Sequence, residues 1–241
     1  MPDIFQFPER LARAPTVSTV CGELLAHAEP LGFGVYAIGA LPPPDSMFPT
    51  DFFYTNWPQA WRDAYYERDF GRRDPTMRAL ACMARPFSIG DIRAGLCGFT
   101  PSPEELEVVD FAASIGVPHG YIVPVYRAQG YTGIACLVGS GPDPSPEIRA
   151  RLQFLAEHTH DRLRSLSIAQ AAHAMAAMLS PREIEVLTHA RHGLGDAAIA
   201  EAAGISIRTV RFHFENARRK LGARSRSEAV AVAVARHLLA I

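Results

Sequence analysis

The stretch GISIRTVRFHFENARRKLGARSRSEA, residues 204–229, decides the fold of the C-terminal part of the chain. It holds seven of the 24 Lys and Arg residues, opposed only by Glu215 and Glu228, although the whole chain has a net charge of −1. Its apolar residues recur at i, i+4, i+7 and i+11, which predicts an amphipathic helix with one buried face. The residues expected on that buried face are Val210, Phe214, Ala217 and Leu221.

Three further helices are expected around this one. Ser180 and Glu183 form a capping-box pattern that begins a helix, Asp196 is the expected N-cap of a short second helix, and Ser206 caps the third. The four helices are predicted over 180–192, 196–204, 206–222 and 225–239. Two helices joined by a short turn that contains Gly form a helix-turn-helix, and the third of the four would be its recognition helix.

The charge is divided unevenly along the 241 residues. Residues 178–241 carry ten basic and six acidic side chains, which leaves 14 basic and 19 acidic side chains in residues 1–177. This division is typical of a nucleic-acid-binding module joined to a second domain, although a chance fluctuation of a few charges would give the same numbers. The hydrophobic fraction of 48% and the charged fraction of 20% are ordinary for a globular protein.

Several classes of site and location are disfavoured by missing patterns. The four Cys residues form no C-x-x-C pair, and the His pairs at 158–160 and 189–192 lack partners at ligand spacing, so no metal site or cofactor is expected. The start of the chain lacks the pattern of a signal peptide, and no apolar run approaches the length of a membrane span. We therefore expect a cytoplasmic protein with reduced thiols and no membrane partner.

The front half of the chain mixes helices with short strands. Helices are predicted over 17–29, 58–70, 74–84, 101–116 and 145–170. Strands are predicted over 32–40 and 52–56, followed by a hairpin over 119–141 that turns at 128–130. Because no strand–helix–strand unit repeats, these elements favour an α+β fold over a doubly wound sheet.

The long helix over 145–170 leads towards the boundary between the two domains. Its leucines fall on related faces, so it would pack either at a dimer interface or on its own sheet. They are Leu152, Leu155, Leu163 and Leu166. The residues that follow are small and low in pattern, which places a linker at 169–177 between domains at 1–168 and 178–241.

An aromatic stretch at 56–76 is the candidate ligand site. Trp57, Trp61 and Tyr65 are spaced four apart, so they share one face of a helix, and Asp74 follows them. The simplest interpretation is an aromatic core stripe. However, buried Trp and Tyr donors and a buried carboxylate need polar partners, which suits a small ligand that has amide and carbonyl groups.

Other regulatory and catalytic sites lack their motifs. There is no acidic pair followed by a strand-end Asp, as a phosphate receiver needs, and no G-x-x-x-x-G-K-[ST] loop for ATP. The G-x-G-x-x-A match at 193–198 lies between two predicted helices rather than after a strand. Ser140 lies in a GSG sequence rather than in a nucleophile elbow, so no catalytic residue is assigned.

The C-terminal part resembles the LuxR-type helix-turn-helix over about sixty residues. The matching residues are L-S-P-R-E-x-E-V-L from Leu179, Gly193, I-A at 199–200, G-I-S at 204–206, T-V at 209–210, His213, Asn216, K-L at 220–221 and R-S-E-A at 226–229. The resemblance implies that the start of the recognition helix faces DNA through Thr209, Val210, Arg211 and His213.

Arg211 is the expected base reader, because Arg suits bidentate contact with guanine. The remaining basic residues would contact phosphates, which position a protein on DNA without specifying sequence. These are Arg208, Arg218, Arg219, Lys220 and Arg226.

The front half resembles the autoinducer-binding domain of LuxR-type receptors for N-acyl-homoserine lactones. The W-x-x-x-Y…D-P spacing fits at Trp61, Tyr65 and 74–75, and family glycines fit at 116, 120 and 133. The resemblance implies an α-β-α sandwich around a five-stranded antiparallel sheet. It also implies that the Trp61 indole donates to the lactone carbonyl, that Asp74 accepts from the ligand amide, and that Tyr65 lines the acyl pocket.

Three positions depart from the family pattern. Trp57 stands where the family usually has a Tyr, Ile89 stands where a second Trp covers the lactone ring, and Cys136 stands where a Ser or Thr often helps to bind the ligand. All three are retained as ligand-binding residues. The departures imply an altered grip on the lactone and an acyl pocket of another shape, so branched or aryl acyl groups are of interest.

The expected protein is a ligand-responsive transcriptional regulator of quorum sensing. It would bind an N-acyl-homoserine lactone and, as a homodimer, double-stranded DNA at a palindromic operator. One alternative keeps the DNA-binding module but makes the front half ligand-independent or gives it a different small molecule. An enzyme that acts on lactones would fit the pocket but lacks an evident nucleophile or metal.

Overall fold

The structure, a computed structural model, describes residues 3–41, 52–127, 131–236 and 238–239, with residues 172–178 described by their backbone alone. Its contacts divide the chain into two compact units, Met1–Leu166 and Ser167–Ile241. The first unit contains a sheet and helices, and the second unit is helical within its described residues.

The first unit is built on a five-stranded antiparallel sheet. Its strands are β1 (Val35–Ala40), β2 (Phe53–Thr55), β3 (Phe87–Ser88), β4 (His119–Arg127) and β5 (Tyr131–Gly139). Their order across the sheet is β2-β1-β5-β4-β3. The predicted hairpin is confirmed, since β4 pairs with β5 from His119 opposite Gly139 to Arg127 opposite Tyr131. Its expected turn at 128–130 lies outside the described residues.

Helices surround this sheet. Those of the first unit are α1 (Phe7–Arg13), α2 (Val17–Ala28), α3 (Gln59–Glu67), α4 (Pro75–Cys82), α5 (Ile89–Arg93) and α6 (Pro103–Ser114). Short 3-10 turns occur at Ile4–Gln6, Glu29–Leu31 and Phe70–Arg72. A long helix, α7 (Pro146–Met178), runs through residues 169–177, the predicted linker, so these residues are helical. The domain boundaries placed around that linker stay a prediction.

The two faces of the sheet meet different sets of helices. On β5, Ala135 and Leu137 join a buried cluster with residues of α1, α2 and α7, whereas Ile134, Cys136 and Val138 face the opposite side. This alternation follows from the two-residue period of a strand. The α7 leucines at 152, 155 and 163 are fully buried in the first cluster, so this face of α7 packs on its own sheet. The predicted α-β-α fold is confirmed.

The second unit contains four helices in its described part after α7. They are α8 (Pro181–Arg191), α9 (Asp196–Ala203), α10 (Ile207–Leu221) and α11 (Arg226–Ala235). The capping box of Ser180 with Glu183 is present, and Ser206 caps α10 by accepting from the backbone N–H of Thr209. The predicted cap of α9 is wrong: Gly195 is the N-cap, and Asp196 is the first helical residue.

The buried face of α10 is the predicted one. All four of its expected core residues are buried, and they pack with apolar residues of the three neighbouring helices. Between α9 and α10, Gly204 has a φ of 64°, a left-handed conformation that Gly adopts without strain. This turn and the two helices beside it form the predicted helix-turn-helix.

Candidate ligand cavity and nucleic-acid interface

The first unit encloses a cavity of about 680 Å³ between one face of the sheet and the helices α3, α4 and α6. Its lining includes every side chain that the sequence predicted for ligand binding. These residues are Trp57, Trp61, Tyr65, Asp74, Ile89 and Cys136. The sequence separates them by up to 79 positions, and the fold brings them to one space.

The sheet supplies one wall of this cavity. Ile134, Cys136 and Val138 alternate along β5, so all three side chains face the same space. A Cβ atom at Gly120 would lie 2.7 Å from a methyl carbon of Val138 and 3.2 Å from a side-chain carbon of Ile89. The missing side chain at Gly120 therefore makes room for Ile89 against this wall.

Aromatic rings supply the opposite wall. Trp61 and Tyr65 lie one turn apart on α3 with their ring centroids 5.6 Å apart. Trp57 lies two residues before α3, yet its ring stacks on Trp61 at 4.4 Å between centroids and 27° between planes. Phe70 and Phe111 each lie 6.1 Å from Trp61 and support its ring from behind. The three rings are in contact, but only Trp61 and Tyr65 share a face of α3, because Trp57 precedes that helix.

Asp74 is the carboxylate of the cavity. It is the N-cap of α4, where one oxygen accepts from the backbone N–H of Thr76 at 2.8 Å and the other accepts from the Tyr65 hydroxyl at 3.1 Å. Burial raises the pKa of the Asp74 carboxyl, and the hydrogen bonds from Thr76 and Tyr65 oppose this shift. Because a carboxylate oxygen accepts more than one hydrogen bond, Asp74 can accept another from a ligand.

The thiol of Cys136 also lies in the cavity wall. Its burial, and next the nearby negative charge of Asp74, raise its pKa to about 12. The thiol therefore stays protonated at neutral pH, and its S–H is a weak donor. Cys136 is one of four free cysteines in the structure.

The cavity opens past a rim of exposed side chains. Phe53, Tyr66 and Met77 line it, and their exposed fractions are 58%, 89% and 42%. Arg62 lies among the same lining residues and is exposed. A mainly apolar pocket with a few convergent polar groups is the usual form of a small-molecule site.

In the second unit, the surface of α10 opposite its buried face is the candidate nucleic-acid interface. At about 100° per residue, Arg208, Phe212 and Arg219 lie roughly half a turn from that face. Phe212 is 62% exposed, which is unusual for such a large apolar side chain. Sequence reasoning missed Phe212, although its place between the core residues Val210 and Phe214 puts it on the outer face.

Most of the side chains predicted to face DNA are accessible. Those exposed or half-exposed on α10 are Arg208, Thr209, Arg211, His213, Arg218, Arg219 and Lys220. Val210 is a correction, because it is fully buried in the core of the second unit and cannot reach DNA. Arg218 donates to Glu215 and to the carbonyl of Ala223, so part of its hydrogen-bonding capacity is used within the unit.

Lys220 pairs within the second unit, and its expected contact with a phosphate stays a prediction. Its ammonium lies 2.7 Å from a carboxylate oxygen of Glu183, a residue that is only 3% exposed. Burial alone would raise the pKa of Glu183, but the Lys220 ammonium and the Ser180 backbone N–H outweigh it and lower that pKa. Lys220 therefore compensates a buried charge, and 32% of its side chain stays exposed.

Arg226 also pairs within the second unit, and its expected contact with a phosphate stays a prediction. It pairs with Asp196, donates to the Leu194 carbonyl at 3.1 Å, and places its guanidinium 4.5 Å from the centre of the Phe214 ring. These contacts place Arg226 in the packing of α9, α10 and α11, while 38% of its side chain stays exposed. Asp196 also accepts from Nε of Arg211 at 2.9 Å, and the two guanidinium groups hold the pKa of its carboxyl below the usual range.

Comparison with known families finds a match within each of the two units. Residues 16–163 match the autoinducer binding domain, and residues 177–233 match the family of bacterial regulatory proteins called the luxR family. The chain belongs to the LuxR family of transcriptional regulators. Members of this family are regulators rather than enzymes, and they combine an autoinducer-binding domain with a DNA-binding helix-turn-helix.

Individual relatives of this LuxR-family chain match along most of their length. The quorum sensing-dependent transcriptional regulator RpaR of Rhodopseudomonas palustris is 33% identical over 226 residues, which cover 94% of this chain and 89% of that protein. The transcriptional activator BjaR1 of Bradyrhizobium diazoefficiens is 31% identical over 205 residues, which cover 84% of this chain and 82% of that protein. These relatives place the chain among quorum-sensing regulators.

A solved structure supports the fold of this LuxR-family chain. The crystal structure of SdiA from Escherichia coli matches with a TM-score of 0.62 at 23% identity, covering 99% of this chain and all of that one. In the part of the chain that is described here, every helix is too short or too polar to span a bilayer.

Proposed function

We propose that this regulator is a quorum-sensing receptor whose first unit binds an N-acyl-homoserine lactone in the cavity. The single observation that supports this most is the buried carboxylate of Asp74, which lines a largely apolar cavity beside the indole of Trp61. An acyl-homoserine lactone offers an amide N–H, carbonyl oxygens and an apolar acyl group. These groups complement a carboxylate, an indole N–H and an apolar wall.

The proposed polar contacts follow from what each group can do. Asp74, when ionised, can only accept, so it would take the amide N–H of the ligand. The indole of Trp61 can only donate, so it would bind the lactone carbonyl. Tyr65 already donates to Asp74 at 3.1 Å, which fixes the direction of the carboxylate before a ligand arrives. Preorganisation of this kind reduces the entropy lost on binding.

The acyl group that fits best is branched or aromatic. The stacked rings of Trp57 and Trp61 present a flat wall, and the volume of about 680 Å³ lies within the ordinary range for small-molecule sites. An aryl group gains about 0.5–1.5 kcal/mol from a ring contact beyond its burial. Ile89 and Cys136 add apolar surface and a weak donor, so this wall offers few hydrogen-bond partners to further polar groups on the acyl chain.

Ligand and DNA binding would be linked through the population of the competent state. A ligand that binds only the folded first unit stabilises that unit, and a dimer then presents two copies of α10 to DNA. Two recognition helices of a symmetric dimer enter major grooves about 34 Å apart or a multiple of it, so the operator would be palindromic. Arg211 would read a guanine, with Arg208 and Arg219 close to the phosphates.

The test is thermal unfolding of the purified protein with straight-chain, branched and aryl-homoserine lactones. At a hundred times Kd, a one-site ligand adds about 2.7 kcal/mol, which is roughly 5–10 °C for a protein of this size. A shift with the branched or aryl class supports the proposal. No shift with any lactone, from folded protein shown by mass spectrometry to carry no ligand, refutes it and favours a ligand-independent front half or another small molecule.

Two substitutions sharpen this test. Trp61→Phe keeps the ring but removes the donor, so it should weaken the lactone roughly tenfold or more by leaving its carbonyl unpaired. Trp57→Phe is the matched control, because it changes the partner ring of the same stack without removing the proposed lactone donor. Equal losses in the two variants would show that the indole N–H of Trp61 does not hold the ligand.

A further inference from the structure

Asp196 joins two arginines from different helices of the second unit. One of its oxygens accepts from Nε of Arg211 on α10 at 2.9 Å, and its other oxygen accepts from Arg226 at the start of α11. Asp196 itself is the first residue of α9. A carboxylate that bonds one arginine through each oxygen is fixed in direction, because rotation of the group would break both bonds.

The second arginine is itself held firmly. Arg226 donates to the Leu194 carbonyl at 3.1 Å, and its guanidinium lies 4.5 Å from the centre of the Phe214 ring. Phe214 belongs to the buried face of α10. The core of the unit thus fixes Arg226, Arg226 fixes Asp196, and Asp196 fixes the guanidinium of Arg211.

The edge by which Arg211 is held matters for DNA recognition. Asp196 takes the Nε–H, and within the described part of the chain neither terminal nitrogen of Arg211 has a hydrogen-bond partner. The side chain of Arg211 is 72% exposed. The two terminal nitrogens are the edge that an arginine offers to O6 and N7 of guanine.

We infer that Asp196 is a positioning residue for DNA recognition, which holds the Nε edge of Arg211 so that the terminal nitrogens remain presented to a guanine. This inference rests on the proposed role of Arg211 as base reader. Fixing a long side chain before binding removes an entropy loss from the bound state, and the gain applies only where its geometry matches the site. Asp196 therefore contributes to the preference for the operator over other DNA.

The opposite role is also chemically defined, and the experiment separates the two. As a carboxylate close to the DNA-facing surface, Asp196 repels phosphates and would compete with DNA for Arg211. If competition dominated, removal of the charge would strengthen binding to the operator. If positioning dominates, removal of the charge weakens operator binding while binding to other DNA stays level or rises.

The experiment compares Asp196→Asn with Glu185→Gln in the full-length protein. Glu185 pairs with Arg182 on α8, so its variant removes one negative charge and one ion pair without touching Arg211. The probes are a duplex selected by the wild-type protein from a random pool with the lactone panel present, and a scrambled duplex of equal length. We expect Asp196→Asn to lower the ratio of the two affinities about 3- to 10-fold, and Glu185→Gln to leave it unchanged.

Two measurements exclude a purely structural effect. Undiminished binding of Asp196→Asn to the scrambled duplex shows that the second unit is still folded, whereas equal losses on both duplexes overturn the inference. Replacement of the operator guanines one at a time by 7-deazaguanine removes N7. At the guanine read by Arg211, this replacement should lower the operator affinity of the wild type more than it lowers that of Asp196→Asn.

Arg211→Ala distinguishes failure of the inference from failure of the proposed function. Loss of operator preference in Arg211→Ala, with preference intact in Asp196→Asn, would overturn the positioning role alone. Preference intact in Arg211→Ala would overturn the base-reading role, and the positioning role with it. In the expected case, Asp196→Asn has no further effect on the ratio when Arg211 is already replaced by Ala.

Discussion

Replacement of Lys220 by methionine tests whether this lysine serves the core or the DNA. Glu183 is 3% exposed and depends on the Lys220 ammonium at 2.7 Å, while its bond from the Ser180 backbone N–H, also 2.7 Å, would remain. Loss of one partner of a fully buried ion pair costs about 3–5 kcal/mol. Because the Lys220 side chain is 32% exposed and one bond to Glu183 persists, we expect about 2–3 kcal/mol of destabilisation.

Differential scanning calorimetry of the full-length protein is the assay. For a unit of this size, such a loss lowers Tm by about 10–20 °C. Arg219→Met is the control, since Arg219 is the neighbouring residue of α10 and is exposed. It should leave Tm nearly unchanged and weaken DNA binding instead.

The effect of Lys220→Met on stability should depend on pH in a defined direction. In the wild type the pKa of Glu183 is lowered, so the stability that the pair contributes is present at neutral pH and is lost as pH falls through that pKa. In Lys220→Met, burial without a counter-ion raises the pKa of Glu183, so this carboxylate is protonated at a higher pH than in the wild type. The Tm difference between the two proteins should therefore be largest near pH 7 and narrow towards pH 4. An unchanged Tm at pH 7 would refute the structural role of Lys220.

Three other predictions concern separate parts of the chain. Gly133→Ala should destabilise the first unit by about 1–3 kcal/mol, because its new Cβ would overlap the His160 ring. Gly22→Ala, on the open surface of α2, should instead stabilise this unit by about 0.5–1 kcal/mol. Chemical denaturation measures both changes. The exposed Phe212 is expected to pack on the methyl group of an operator thymine. Replacement of that thymine by deoxyuridine, at one position per half-site, should then lower the operator affinity of the wild type but not that of Phe212→Ala. Lactone affinity should fall on acidification at a pH above the usual range for aspartate, because the pKa of Asp74 is raised and binding needs its ionised form; calorimetric titration of Asp74→Asn should show weak, pH-independent binding.

Local patterns allowed much of the fold to be predicted. The capping box at Ser180, the buried spacing on α10 and the alternation through the hairpin all act over a few residues, so the sequence displays them directly. The cavity residues on α3 and α4 were found through a motif of fixed spacing. In contrast, α1, α5 and β3 were missed, because short elements give too few periods to recognise.

Two of the predicted DNA contacts have ion-pair partners that are distant in sequence. Lys220 pairs across 37 positions and Arg226 across 30, so a basic residue on a basic helix cannot be assigned to protein or DNA by local pattern. The predicted linker at 169–177 is helical, because it is rich in Ala and free of Gly and Pro, and Ala has the highest helix propensity. Here local propensity favoured the helix that periodicity failed to reveal.

Asp74 both caps α4 and lines the cavity, so under the proposed function it constrains how the signal preference of the receptor can change over evolution. A replacement that redirects the carboxylate towards a new signal also removes the cap of a helix, a loss of about 0.5–2 kcal/mol. A substitution of Asp74 therefore loses both the ligand contact and the helix cap. Ile89 and Cys136 line the same cavity but cap no helix. New signal preferences should therefore arise first at these positions, both in natural descendants of the receptor and in variants selected for a laboratory biosensor.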